Sequence, residues 1–161
     1  VYKRQVHCAR IFTHHKKEAI LTSLTTGKKR ICVRDVMNAE YGTINGNATV
    51  AEAIEKMRVL NTAVLVVEKR DESDEFGILT VSDIARKVLA KDRASSRVNT
   101  YEIMTKPAVY VEPQMDIRYC SRLMAQFDLM RVLVVEDDSL LGTVNPRALV
   151  LDGLAAIEAD E

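Results

Sequence analysis

The feature that most constrains this chain is that it contains the same unit twice. The stretch DVMNAEYGTINGNATVAEAIEKMRVLNTAVLVVE (Asp35 to Glu68) lies over EIMTKPAVYVEPQMDIRYCSRLMAQFDLMRVLVVE (Glu102 to Glu136). Met37 falls on Met104, Val50 on Ile117 and Met57 on Met124. With one extra residue allowed in the second copy, Val64 to Val67 (VLVV) falls on Val132 to Val135 (VLVV). Each copy then passes through a charged turn into a similar outline, GILTVSDIARKVLA from Gly77 and LGTVNPRALVLDG from Leu141. A unit too small to close its own core, written twice, implies a paired architecture.

Hydrophobic periods assign the elements. Thr49 and Glu52 have the spacing of a capping box, and Val50, Ala53, Ile54 and Met57 follow at helical intervals. Ile117, Cys120, Met124 and Phe127 repeat that pattern in the second copy. The β-branched VLVV runs read as buried strands, and the charged KRDESDE and EDDS as exposed turns. Ile84, Ala85, Val88 and Leu89 mark the expected apolar face of a closing helix. Each copy is therefore strand, helix, strand, strand, helix. The fold class is α+β, a mixed α/β chain of two βαββα repeats packed as a pseudo-two-fold pair. The expected boundaries are a basic arm at 1–30, repeats at 31–92 and 101–156, a linker at 93–100 and an acidic tail at 157–161.

Composition narrows the function classes. The 161 residues are 47% hydrophobic with few aromatics, which suits an aliphatic core. No run approaches the roughly 20 apolar residues that span a bilayer, and the first residues lack a signal-peptide apolar stretch, so a cytoplasmic protein without membrane attachment is expected. Cys8, Cys32 and Cys120 lack zinc-site or redox-pair spacing and are expected as reduced thiols; no metal site is expected. The zero formal net charge conceals +7 over residues 1–30, so nucleic acid is expected only through that arm, which also carries His7, His14 and His15. Adjacent His14 and His15 would diverge on a helix and not chelate one ion together.

The order DVM, strand, amphipathic helix, AVLVV, acidic turn and GILTVSDI, occurring twice between Val33 and Leu154, resembles the cystathionine-β-synthase (CBS) domain and its tandem pair, the Bateman module. The resemblance implies a regulatory, energy-sensing module that binds an adenine nucleotide (AMP, ADP or ATP) between its repeats and pairs as a homodimer, with an unidentified regulated protein as a further partner. In that family a Gly-x-x-[Ser/Thr]-x-x-Asp motif holds phosphate and ribose, and Gly77, Thr80 and Asp83 match it. Hydroxyl and helix N-terminus can donate to phosphate, and a carboxylate can accept from a ribose diol. The resemblance further implies Val109 and Tyr110 beside the adenine, with Leu129, Met130 and Arg131 around ribose and phosphate. A guanidinium clamps phosphate through parallel hydrogen bonds.

Thr80 and Asp83 are equally a capping box that needs no ligand, which leaves open an interaction module without nucleotide. The reciprocal set is depleted: Asn145 and Ala148 replace Thr80 and Asp83, Ala63 stands where Arg131 stands, and Gly42, Thr43 and Val64 complete a degenerate second site. Asn145 followed by Pro146 still suits an N-cap and first helical residue. No nucleophile, base and orienting acid are placed together, so neither enzyme activity nor a catalytic cofactor is expected. One competent nucleotide site and one degenerate site are expected.

Overall fold

The computed structural model describes residues 30–159. The basic arm, with Cys8, His7, His14 and His15, lies outside the described residues apart from Arg30. The first repeat has β1 (Gly42–Ile44), α2 (Val50–Val59), β2 (Val64–Val67), β3 (Gly77–Thr80) and α3 (Val81–Lys87), preceded by the short helix α1 (Val33–Val36). A second short helix, α4 (Thr100–Ile103), precedes β4 (Tyr110–Val111), α5 (Ile117–Gln126), β5 (Val132–Glu136) and β6 (Ser139–Val144). The last helix starts as α6 (Pro146–Ala148), widens to a π-helix over Leu149–Leu154 and ends as α7 (Ala155–Glu158). Both repeats are thus strand, helix, strand, strand, helix, with two three-stranded sheets ordered β1-β2-β3 and β4-β5-β6. In each sheet the first pair is parallel and the second antiparallel.

The chain divides into two compact units whose composition departs from the linear boundaries. One is Glu40–Ala108; the other joins residues 30–39 to residues 109–159. The first unit's core contains Ile44, Val50, Ala53, Met57, Leu65, Val67 and Leu79, closed by Val98 and Ile103. The stretch read as a linker is therefore load for that core: the Val50 N–H donates to the Val98 carbonyl (2.8 Å) and the Thr100 N–H to the Ala48 carbonyl (2.8 Å). In the other unit, Val33 and Val36 pack with Val111, Ile117, Cys120, Met124, Val132, Val134 and Val144. Ile157 is buried in the same cluster, so the helix runs into the segment read as an acidic tail.

Two glycines make these compositions possible. Asn38 forms an antiparallel bridge with Thr143, its N–H donating to the Thr143 carbonyl (2.8 Å) and its carbonyl accepting the Thr143 N–H (3.0 Å). Thr105 bridges Ile78 in the same way at 2.9 Å in both directions. A Cβ at Gly142 would stand 2.5 Å from the Asn38 carbonyl oxygen; one at Gly77 would stand 2.9 Å from the Met104 sulfur. The glycine that opens each outline is thus the point where a segment ending in Met-Asn or Met-Thr crosses a strand.

Periodicity located the helices but misjudged one face. Helix α3 ends at Lys87, and a 3₁₀ turn takes Leu89–Lys91. Val88 is buried and Ile84 packs on the core, whereas Ala85 is exposed and Leu89 is 78% exposed. At 100° per residue, Ile84 and Val88 share a strip that Ala85 and Leu89 leave. The EDDS turn is a tight hairpin with positive φ at both Asp137 (49°) and Asp138 (62°), as a type I′ turn requires. In KRDESDE, Asp74 is not simply solvated: it accepts from the Arg70 N–H and guanidinium and pairs with Lys106, which holds its carboxyl well below the usual carboxylate range.

Overpacking at the Gly142 crossing should be costly because the obstacle is backbone. Gly142→Ala is expected to destabilise the protein by about 1–3 kcal/mol, and Gly77→Ala by less, since a methionine side chain can move aside. Chemical denaturation of the two variants checks the order; equal stability losses would contradict it.

Candidate functional site

Thr80 ends β3 and caps α3. The Asp83 N–H donates to the Thr80 hydroxyl oxygen (3.1 Å), while Asp83 Oδ2 accepts the Thr80 N–H (3.2 Å) and the Thr80 O–H (2.6 Å). This reciprocal box fills Oδ2. The other oxygen, Oδ1, faces Lys87 Nζ at 3.1 Å and Arg86 Nη2 at 3.6 Å. The Asp83 side chain is only 6% exposed. Burial alone would raise its carboxyl, but the bonds from Thr80 and the charge of Lys87 outweigh burial and hold it below its ordinary value.

The residues of the second set lie on the sheet of the other unit. Tyr110 pairs with Leu133, and Leu133 pairs with Thr143. Side chains alternate along a strand, so Tyr110, Arg131, Leu133 and Thr143 share one face, opposite Val111, Val132, Val134 and Val144 of the core. Arg131 is the polar anchor of that face. Its Nη1 donates to Thr143 Oγ1 (3.0 Å), a diagonal cross-strand neighbour, and no carboxylate pairs with it among the described residues. Burial lowers its guanidinium from the ordinary value. Tyr110 is 48% exposed and Met130 74%, while Val109 and Leu129 are half-buried against the core. Sequence reasoning missed Thr143; its signal was a hydroxyl inside the apolar run LLGTV.

The corresponding residues of the other copy need one correction. The Thr62 N–H bonds the Met57 carbonyl as the Leu129 N–H bonds that of Met124, and Asn61 and Asp128 both turn the chain at positive φ (48° and 52°). Both copies bond Val67 or Val134 opposite the glycine, Gly77 or Gly142. The repeats therefore correspond without an extra residue up to that point, and Arg131 answers to Val64, not Ala63. The matching VLVV strings had to be slipped by one residue, and one residue exchanges the two faces of a strand. Ala63, which answers to Met130, lines a groove of about 470 Å³ with Ile54, Met57, Val81 and Ile84.

The depletion itself stands at the level of residue type. The polar pair Arg131 and Thr143 is replaced by Val64 and Ile78, and Tyr110 by Thr43, whose hydroxyl donates to Glu68 (2.7 Å). A Cβ on Gly42 would meet Leu60 and Leu65 side chains at 2.5 and 2.6 Å. Asn145 caps α6, its Oδ1 accepting the Ala148 N–H (2.9 Å), with Pro146 at the first helical position. Among the described residues no group of three or more His, Cys, Asp or Glu could hold a metal ion, and no helix is long and apolar enough to cross a membrane.

Comparison with known proteins decides the family. The CBS domain matches at residues 33–90 and again at 101–151. This chain belongs to the CBS domain family. It is 30% identical over 112 residues to the CBS domain-containing protein YhcV of Bacillus subtilis, covering 70% of this chain and 78% of that one. Its fold is similar to that of a hexameric CBS-CP12 protein from bloom-forming cyanobacteria, with a TM-score of 0.74 and 35% identity over 76% of this chain and 71% of that one. A CBS domain protein of Pyrobaculum aerophilum, solved in complex with AMP, shares the fold at a TM-score of 0.68 with 16% identity, covering 80% of this chain and 99% of that one. The chain is thus a tandem CBS module of mixed α/β class.

The Asp83 cap has a pH signature. A carboxyl depressed in the folded state adds stability above its unfolded value, about 3.9, and loses it as pH falls through the folded value. Asp83→Ala should cost about 1–2 kcal/mol at neutral pH. The gap between variant and wild type should hold down to about pH 5 and narrow below it. Denaturation from pH 7 to pH 2 tests this; a gap unchanged at pH 2 counts against a charged cap.

Proposed function

We propose that this CBS pair is a regulatory module that binds one adenine nucleotide, using Thr80 and Asp83 from one repeat and Val109, Tyr110, Leu129, Met130 and Arg131 from the other. The observation that carries the reading is Arg131, a half-buried guanidinium with a hydroxyl neighbour and no carboxylate among the described residues. A desolvated cation without a counter-ion favours an anion, and a guanidinium fork suits phosphate. Tyr110 and Met130 add exposed apolar surface of the kind that packs on a base. The AMP found on the Pyrobaculum aerophilum protein supports the same ligand class. The second set, Gly42, Thr43, Ala63, Val64, Asn145 and Ala148, offers neither cation nor carboxylate and is read as degenerate.

Occupancy would bias the module by population shift, since a ligand favours whichever arrangement gives it more contacts. AMP, ADP and ATP share the groups this reading uses. A homodimer and a regulated partner protein belong to the same proposal; sedimentation equilibrium tests the first.

A second reading is supported by the complete Thr80–Asp83 box, which satisfies both residues without a ligand. In that case the pair is an interaction module. Titration calorimetry with AMP, ADP and ATP separates the two. The nucleotide reading expects one site per chain, weakened about 10–100-fold by Arg131→Ala, as loss of a charge-assisted bond predicts. The interaction reading expects no heat with any nucleotide, and a stability loss in Asp83→Ala that nucleotide leaves unchanged.

A further inference from the structure

Lys87 has two partners that tie separate elements together. Its ammonium sits 3.1 Å from Asp83 Oδ1, one turn earlier in α3, and also donates to the Ile103 carbonyl (2.5 Å) at the C-terminal end of α4. An acid four residues before a lysine is the favourable helical order, but an exposed pair of that kind contributes only a few tenths of a kcal/mol. This pair differs because the carboxylate is buried at 6% exposure and the lysine is at 36%. The neighbouring Arg86, at 74% exposure and 3.6 Å, is a weaker and more solvated contact.

A carboxylate oxygen accepts about two hydrogen bonds. Oδ2 is filled by the Thr80 N–H and O–H, so any further bond falls to Oδ1, whose direction is set by Lys87 at 3.1 Å and more weakly by Arg86 at 3.6 Å. The second repeat offers a built-in comparison. By the glycine register, Asp83 answers to Ala148 and Lys87 to Asp152, so the lysine is absent where the carboxylate is absent. The lysine is thus paired with the carboxylate and not with the helix position as such.

We propose that Lys87 is a positioning residue: bridging Asp83 to the Ile103 carbonyl, it fixes the carboxylate in the orientation that selects ribonucleotides over 2′-deoxyribonucleotides. This inference rests on the nucleotide reading and adds sugar discrimination to it. The test measures Kd for AMP and 2′-deoxy-AMP in wild type, Lys87→Met, Lys87→Gln and Lys87→Arg. Met keeps the aliphatic stem without a donor; Gln keeps a neutral donor for the Ile103 carbonyl; Arg restores the charge. Wild type is expected to prefer AMP by about 10-fold or more, the worth of one hydrogen bond to a charged group. In Lys87→Met and Lys87→Gln the ratio should fall to within about threefold of unity, with Lys87→Arg between. Amide exchange of residues 100–105 should quicken in Lys87→Met and less in Lys87→Gln. If nucleotide binds wild type but the ratio survives in Lys87→Met and Lys87→Gln, the positioning role is overturned and the nucleotide reading stands. If wild type binds neither nucleotide, both fall.

Discussion

What sets the composition of the two compact units is the crossing of an irregular segment over an edge strand at each of two glycines, Gly142 and Gly77. A segment ending in Met37-Asn38 lies on β6, and one ending in Met104-Thr105 lies on β3, each by a reciprocal pair of main-chain hydrogen bonds. An edge strand left open presents unpaired donors and acceptors, and here each is partly covered by a segment that is itself irregular. At Gly142 the approach is backbone on backbone and leaves no room for a Cβ, while at Gly77 the nearest obstacle is the Met104 side chain. Because the crossing segments bring Val33 and Val36 to one core and Val98 and Ile103 to the other, neither three-stranded sheet closes its core from its own repeat alone. The chain order of the repeats and the composition of the compact units diverge for that reason.

The same geometry explains why the amino-acid pattern is repeated so unevenly. Strand cores repeat because each sheet buries one aliphatic face: Ile44, Leu65, Val67 and Leu79 answer to Val111, Val132, Val134 and Val144. The opposite faces keep a buried aliphatic centre, Val66 or Leu133, but around it carry Thr43, Val64 and Ile78 in one copy and Tyr110, Arg131 and Thr143 in the other. Packing of the first kind tolerates only aliphatic exchange, whereas the second face is free to differentiate. Divergence is therefore concentrated on the sheet face turned away from each unit's own core, and the core keeps the two copies alike.

Much of this was legible in the residues. Capping boxes, helical intervals and β-branched runs gave every strand and main helix, because each reports a local preference that the packed structure agrees with. The misreadings share a cause: they required knowing which face of an element is covered. The two VLVV strings match letter for letter, yet Val66 and Val134 do not occupy corresponding faces; the helix end at Asn61 and Asp128 sets the true register. Leu89 looks like a core residue until α3 stops at Lys87. The capping spacing of Thr80 and Asp83 is visible in the residues, but their third partner, Lys87, also bonds the Ile103 carbonyl, a contact between residues 16 apart that local spacing does not announce.

A cap and a binding motif are not competing descriptions of Thr80 and Asp83. Capping fixes the carboxylate, buries it and keeps it ionised, and these are the properties that let a carboxylate accept from a neutral diol with defined geometry. A cap that lacks the carboxylate, as at Asn145 and Ala148, also starts a helix and holds no charge. The first copy therefore maintains a buried charge that helix formation does not require. Burying a charge costs free energy unless it is paired, and Lys87, with Arg86 as a weaker and more solvated neighbour, supplies the pair at Oδ1. Removing Thr80 or Lys87 would leave that buried carboxylate underpaired, so the three side chains act as one unit.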